Sequence, residues 1–444
     1  MYRLQTRKIF RLALPAFFTQ ASFTVTAMLD LIMVGTISPT AIAAVGVGGT
    51  LYWNLLVLGH GPALSAGYLC AQSYGGGKTE DFLDRAVIGF LFSAVAGLLF
   101  ALLPRVLSDT MYRLMGAPAA VIAIGSQYFV YRLIAFPFDL MSENLDEVIK
   151  ATGDTKRPMV IRISSHAVNL ILNYLLIFGK FGFPRLGVRG AGIATLLASL
   201  CMFSLFSGYA SRLFIKLKRK RFRQHFSIKT TWLLLREGIK ISSQEFSESS
   251  AFLVYVAFIA RLGEVSLAAE EIAWNVVSMA FLPAFGFGQA AKIILGHKIG
   301  NGENKIARHT GLEIQLYTAV FMIIMGGLFF IFPQQIGMFF TRDERVLAFL
   351  IIMIRFSAFF QIFDGAQIVF SLSLIGIGDT TFTFLATLFC TWFFMVPAAY
   401  FVIFVLGKGV TWAWGSAYIC AVLMCLFFFM RYISLDWNRL KPKK

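Results

Sequence analysis

Residues 12–35, LALPAFFTQASFTVTAMLDLIMVG, form an apolar run long enough to cross a bilayer as a helix, since about 20 apolar residues suffice. The run nonetheless carries a carboxylate, Asp30, and a helix-breaking residue, Pro15. An ionised carboxylate at the centre of a membrane helix costs about 2.5–3.5 kcal/mol on insertion scales. A simple anchor would carry Leu or Val at that position. Asp30 is therefore expected to face a protein-lined cavity and to handle a cation.

The composition around this run agrees with a membrane protein. The chain has 444 residues, of which 58% are hydrophobic and 14% charged, against about 25% charged in soluble domains. The net charge of +17 raises the question of nucleic acid, but no RNA-binding, zinc-finger or basic-helix signature is present. Twelve apolar runs of membrane length can be counted, near 9–34, 48–72, 86–107, 121–149, 159–183, 190–211, 234–260, 272–296, 311–335, 346–375, 382–406 and 412–433. With the N-terminus placed in the cytoplasm, the inner segments hold about 29 Lys and Arg and the outer ones about 9, as the positive-inside rule requires. Both termini then come out cytoplasmic. The basic run RLFIKLKRKRFRQ, from Arg212, reads as a solvated linker touching anionic headgroups. The N-terminus lacks a signal-peptide cleavage pattern and reads as the start of the first span.

The chain repeats itself at an offset of 225 residues. Phe138-Asp139 matches Phe363-Asp364, Gly153-Asp154-Thr155 matches Gly378-Asp379-Thr380, and Ala43-Ala44, Gly75, Gly77 and Gly190 have partners at the same register. The expected fold class is an all-α polytopic membrane protein, with twelve transmembrane helices in two six-helix lobes. Six spans per copy give both copies one orientation, related by a pseudo-two-fold axis along the membrane normal. The expected division is 1–211 for the first lobe, 212–233 for the basic linker and 234–444 for the second. The second span of each copy carries breakers, Gly59, Gly61 and Pro62 in one and Pro283, Gly286 and Gly288 in the other. Paired interruptions of this kind point to a moving or binding element.

Polar residues recur on helical spacing within two neighbouring spans. Arg162, His166, Asn169 and Asn173 follow one face of the fifth, and Arg132, Asp139, Glu143, Asp146 and Lys150 follow one face of the fourth. Such faces turn toward each other or toward a cavity, away from lipid. In the second copy, Glu245 and Glu248 lie in the seventh span, Glu248 near its middle, and Asp364 lies in the tenth with Gln367 one turn on. Gln244, Phe246 and Tyr255 are cavity candidates near Glu248, where an aromatic ring face would attract an organic cation. Other signals are declined. GGGK at 75–78 lacks P-loop spacing. The five Cys sit inside apolar runs without a CxxC pair and read as packing residues. The His residues do not cluster at ligand spacing, and no catalytic constellation supports an enzyme.

Together the motifs LALP with Asp30 and Val34-Gly35, AIAAVG at 41–46, AQSYGGGK at 71–78, ATGDTKRPM at 151–159, LNYLLIFGKFGFPRLGVRGAGIAT at 172–195, LAAEEI at 267–272 and IGIGDTT at 375–381 resemble the multidrug and toxic compound extrusion (MATE) transporters over nearly the whole chain. The resemblance implies two lobes around a central cavity that opens alternately to each side, and expulsion of amphipathic organic cations in exchange for Na⁺ or H⁺. Asp30 matches the family's first-span acid, implicated in cation binding. Asn169 and Asn173 match two positions that face it. Branches linked to protons carry Asp where this chain has Asn173, a departure that weakens a proton-only assignment. One carboxylate with two amide oxygens suits Na⁺, and a partly buried Asp equally suits a proton. Glu248 and Asp364 match the acids that one branch uses in its second lobe.

The expectation is thus a monomeric multi-pass protein of the cell inner membrane. It would export drugs and organic cations and bind no nucleic acid. It would use no cofactor beyond the coupling ion, Na⁺ or H⁺, and no metal beyond Na⁺ at Asp30, Asn169 and Asn173. Cation coupling falls to Asp30, Asn169, Asn173, Glu248 and Asp364. The substrate cavity draws on Glu245, Gln367, Asp139, Glu143 and Tyr255. The rival is a flippase for a lipid-linked precursor on a related architecture, which would need a basic cavity lining.

Overall fold

The computed structural model describes the backbone of residues 2–102, 104–217 and 227–443. Residues 218–226, which include the second half of the basic run, lie outside the described residues. The described residues are helical almost throughout, and none is in a strand. The first copy consists of α1 (Tyr2–Gly35), α2 (Pro39–Gly59), α3 (Gly61–Gly75), α4 (Thr79–Ala101), α5 (Pro104–Leu114), α6 (Ala119–Ala151), α7 (Lys156–Phe178) and α8 (Gly187–Leu217). The second consists of α9 (Ile228–Ala260), α10 (Glu264–Gly300), α11 (Asn304–Ile331), α12 (Pro333–Phe340), α13 (Glu344–Ile377), α14 (Thr380–Leu388), α15 (Val396–Tyr400) and α16 (Val410–Ser434). The segments Phe389–Met395 and Phe401–Val405 are π-helical and join α14 and α15 into one span.

Eleven helical stretches among the described residues are long and apolar enough to cross a membrane. The twelfth span is α9, which is 33 residues long but carries Lys229, Arg236, Glu237, Lys240, Glu245 and Glu248. The result is an all-α polytopic membrane fold of twelve spans, six to a copy. The short helices α5 and α12 were not expected from hydropathy. Each opens on a proline, Pro104 or Pro333, whose missing N–H costs nothing in a first helical turn.

The break expected in the second span is present, because α2 stops at Gly59 and α3 starts at Gly61, with His60 between them. Its counterpart is not a break. α10 runs unbroken through Pro283, so the expectation of paired interruptions is corrected. Proline is tolerated inside membrane helices where neighbouring groups satisfy the freed carbonyl.

The chain packs as two compact units that do not coincide with the two sequence copies. One comprises 18–242, and the other comprises 1–17 with 243–443. α1 and α9 therefore each contribute their first part to one unit and the remainder to the other. In the first unit, the start of α9 is tied to α3. Tyr68 Oη donates to Glu237 Oε2 at 3.0 Å and Ser65 Oγ to the Leu234 carbonyl at 3.0 Å. In the second unit, the start of α1 packs on α10 through Ile9, Leu12, Ala13, Phe287, Ala290 and Ile294. All five cysteines are free, and Cys70, Cys390, Cys420 and Cys425 are buried.

Candidate functional site

In the unit 18–242, three of the expected residues meet. Asn173 Nδ2 donates to Asp30 Oδ1 at 2.6 Å and to Asn169 Oδ1 at 3.2 Å. Asn169 Nδ2 in turn reaches Thr195 Oγ1 at 3.4 Å. The helical spacing of Asn169 and Asn173 stacks them on one face of α7, and that face meets α1 at Asp30. Asn173 Oδ1 is buried and has no hydrogen-bond partner. It adds a free amide oxygen to a set of carboxylate, amide and hydroxyl oxygens, the ligand chemistry of a hard monovalent cation or a proton.

Beside this set stands a basic group that the periodicity placed in the fourth span without assigning a neighbour. The Arg132 guanidinium lies 3.5 Å from the Tyr52 ring centroid, a desolvated cation–π pair. Tyr52 Oη donates to Asp139 Oδ2 at 2.5 Å. Arg132 is in electrostatic reach of both Asp30 and Asp139, and its Nε is buried without a hydrogen-bond partner. A fixed positive charge that faces two carboxylates competes with any mobile cation for them.

Farther along α6 the charges are committed to one another. Arg162 bridges Glu143 at 2.6 Å and Asp146 at 2.5 Å, and Lys150 reaches Asp146 at 3.0 Å and Glu147 at 3.5 Å. Glu143 is thus held in an ion-pair network. These charges pair with one another across α6 and α7 and tie the two helices together.

In the other unit, Glu248 and Asp364 occupy different surroundings and do not pair. Glu248 is accessible, with Glu245 and Cys420 as its electrostatic neighbours. The backbone beside it is gripped by the π-helical segment of α14–α15. Trp392 Nε1 donates to the Ser247 carbonyl at 3.2 Å, and the Ser247 and Thr391 hydroxyls meet at 3.4 Å. Such π segments recur at functional positions in helices. Asp364 is buried, at 3% exposure, and its Oδ2 has no hydrogen-bond partner. Its neighbours include Tyr418 and Cys425. Gln367 and Glu245 are partly accessible, whereas Tyr255 is fully buried and faces Glu270. Tyr255 therefore lines no open surface, which corrects its expected place against a drug. Sequence reasoning did not single out Tyr52, Thr195, Gln361, Glu270 or Tyr418. Only Gln361, three residues before Asp364, carries a periodic signal.

No group of three or more His, Cys, Asp or Glu able to hold a metal ion occurs among the described residues.

Comparison with known proteins bears on the chain as a whole. The MatE family model matches twice, over residues 15–175 and 241–401, one match per copy. The chain is 27% identical over 411 residues to a probable multidrug resistance protein NorM of Pasteurella multocida (strain Pm70), covering 90% of this chain and 86% of that protein. It is 27% identical over 416 residues to the multidrug resistance protein MdtK of Yersinia pestis (strain Pestoides F), covering 90% and 88%. In fold it is similar to an outward-facing multidrug resistance MATE family transporter of the MOP superfamily. That match has a TM-score of 0.88 and 20% identity over 97% of this chain and 96% of the other. With a family match spanning both halves of its length, the chain belongs to the multidrug and toxic compound extrusion family of membrane transporters.

Proposed function

We propose that this transporter is a cation-coupled antiporter, exporting amphipathic organic cations in exchange for Na⁺ or H⁺ by alternating access. It would act as a monomer in the cell inner membrane with both termini cytoplasmic. One observation carries the reading. The Asp30 carboxylate sits within a membrane span, held by the Asn173 amide at 2.6 Å and backed by a buried amide oxygen with no partner. A charge so expensive to place there is supported by groups that bind a cation and by a nearby arginine that opposes it.

In this mechanism Asp30, Asn169 and Asn173 take the coupling ion in one unit. Arg132 is drawn toward Asp30 when the ion leaves and yields it when the ion returns. In the other unit Glu248 attracts the organic cation at an accessible position, while buried Asp364 takes the coupling ion. Ion and drug then exclude each other by favouring different conformations, and a ligand shifts such an equilibrium only by its differential affinity for the two.

The flippase alternative needs basic side chains free to take a lipid phosphate. Arg162 and Lys150 are spent on Glu143, Asp146 and Glu147, which favours the antiporter. The test is efflux of a fluorescent organic cation from energised vesicles, driven first by a Na⁺ gradient and then by a pH gradient. Asp30→Asn, Glu248→Gln and Asp364→Asn are run beside the parent. Loss of coupled efflux in Asp30→Asn supports the reading, and full coupled efflux in all three ends it.

A further inference from the structure

A second line of polar groups runs through the unit that contains Asp364, and the mechanism above uses only its last member. Glu270 on α10 is 2% exposed, Tyr255 on α9 is fully buried, Tyr418 on α16 is 5% exposed and Gln361 on α13 is fully buried. Glu270 Oε1, Tyr255 Oη and Asp364 Oδ2 lack a hydrogen-bond partner, and the Tyr418 hydroxyl between them meets the Gln361 amide and Ser357. Native structures leave few such groups, and each calls for an explanation, an ion or water among them.

These groups follow one another in space along the line. Tyr255 is in electrostatic reach of Glu270. Tyr418 is in reach of Tyr255 and of Asp364, and it lies beside Gln361 and Ser357. The Ser357 hydroxyl is taken by Trp414 Nε1 at 3.1 Å. The surroundings of the line are apolar and aromatic, with Phe360 5.2 Å and Trp414 5.7 Å from the Tyr418 ring centroid, and Phe252 5.8 Å from that of Tyr255. One end is close to a helix junction. Tyr255 stands five residues before the end of α9 at Ala260, and Glu270 six residues after the start of α10 at Glu264. Both are therefore about 8–9 Å along their helices from that junction. Glu271, next to Glu270, is exposed. The other end is Asp364, with the thiol of Cys425 beside it.

We propose that Glu270 and Tyr255 form an entry station for the coupling cation, a small monovalent ion that reaches Asp364 past the Tyr418 hydroxyl and the Gln361 amide. The inference rests on the antiport reading above and adds the route to one of its acids. For a proton, Glu270 takes it up as the carboxylic acid. Each tyrosine accepts a proton at its oxygen and releases its own to the next group, so that Asp364 ends protonated and the tyrosines unchanged. For Na⁺ the same oxygens serve as successive ligands.

The test uses the full chain in proteoliposomes, with ethidium efflux driven by an imposed pH gradient in one arm and a Na⁺ gradient in the other. Glu270→Gln removes the charge at constant size, and Tyr255→Phe removes one oxygen and keeps the ring. Each is expected to slow gradient-driven efflux by at least about tenfold and to raise the cation concentration for half-maximal rate, in whichever arm drives the parent. Equilibrium ethidium binding should stay within about twofold of the parent, which a merely structural defect would not allow. Should Glu270→Gln fail to fold, Tyr255→Phe decides. Parent rates and parent half-saturation in the folded variants overturn the entry station. Asp364→Asn separates the two readings. If it too runs at the parent rate, the antiport reading of this unit falls. If it is uncoupled while Glu270→Gln and Tyr255→Phe are not, only the entry station falls.

Discussion

Gly61 packs so closely on Gly238 that a Cβ at position 61 would lie 2.2 Å from the Gly238 carbonyl oxygen. The Gly61 N–H donates to Ser242 Oγ at 3.1 Å in the same contact. The relationship occurs twice. A Cβ at Gly286 would lie 2.7 Å from the Ala13 carbonyl oxygen and 3.2 Å from Phe17. Gly286, Gly238 and Ser242 each stand 225 positions after Gly61, Ala13 and Phe17, the offset of the sequence repeat. The unit boundaries, after 17 and after 242, obey it too. The duplicated glycine thus marks where the first part of one copy's leading helix packs on the second span of the other copy.

The contact predicts a specific intolerance. Gly61→Ala and Gly286→Ala force a methyl against backbone, which cannot step aside as a side-chain tip can. Overpacking of this sort costs about 1–3 kcal/mol. Gly49 has open space where its Cβ would stand, so Gly49→Ala should be neutral or stabilising, since alanine favours a helix over glycine by up to about 1 kcal/mol. Thermal unfolding of the purified variants in one detergent checks both signs.

How much of this was legible in the sequence depended on chemistry and on distance along the chain. The span count, the duplication and the break at Gly59–Gly61 were readable because hydropathy, a fixed offset and a Gly-x-Gly-Pro cluster are local signals. The Asp30–Asn173 contact was readable because an acid in an apolar run and two amides at helical spacing each need a partner. The exchange of leading segments between units was not, because glycine at a crossing looks the same as glycine at a kink. Pro283 misled for the converse reason, since its helix continues. Tyr418 was hidden because a tyrosine inside an apolar run reads as packing, and Tyr255 was expected for its ring beside Glu248, not for its buried hydroxyl.

The ion-pair network of α6 and α7 should be far more sensitive than its counterpart at the helix ends. Arg162 is mostly buried between Glu143 and Asp146, so Arg162→Ala leaves three carboxylates, Glu143, Asp146 and Glu147, against one lysine, Lys150. Removing one partner of such a pair costs about 3–5 kcal/mol. The Arg157–Asp154 pair is as short, at 2.5 Å, but the arginine side chain is 63% exposed. Exposed pairs contribute about 0–1 kcal/mol, so Arg157→Ala should leave the melting temperature nearly unchanged. A melt of the two variants side by side distinguishes burial from distance as the deciding variable.

At the start of α13 the effect of pH can be predicted with its sign. Asp343 caps the helix by accepting the Arg345 N–H at 2.9 Å, and its carboxylate also meets the Arg345 guanidinium. Those hydrogen bonds hold its pKa below the ordinary value of 3.8. A carboxyl depressed in the folded state stabilises it above the ordinary aspartate range and loses that contribution as the pH falls through the lowered value. The protection of the Arg345 and Val346 amides against hydrogen exchange, corrected for intrinsic rates, should therefore drop in acid. Asp343→Asn, which keeps a capping oxygen without the charge, should flatten that dependence.

The sharpest test of the coupling chemistry is Asn173→Asp. The Asn173 amide now donates to Asp30 Oδ1 at 2.6 Å. A carboxylate in its place sets two acids at hydrogen-bond distance inside a membrane span, with Arg132 as the nearby base. Two such groups cannot both carry full charge, so they share a proton or bind a cation, and they titrate as a pair. If the parent runs on Na⁺, the variant should acquire efflux driven by a pH gradient and a steeper dependence on external pH. If the parent already runs on protons, the variant should shift its pH optimum upward and keep its driving ion. Asn173→Ala serves as the control, because it removes the hydrogen bond without adding an acid. It should lower coupled efflux by about tenfold or more without changing which gradient drives it. An Asn173→Asp variant with the parent's pH profile and ion dependence would place the coupling ion elsewhere than on Asp30.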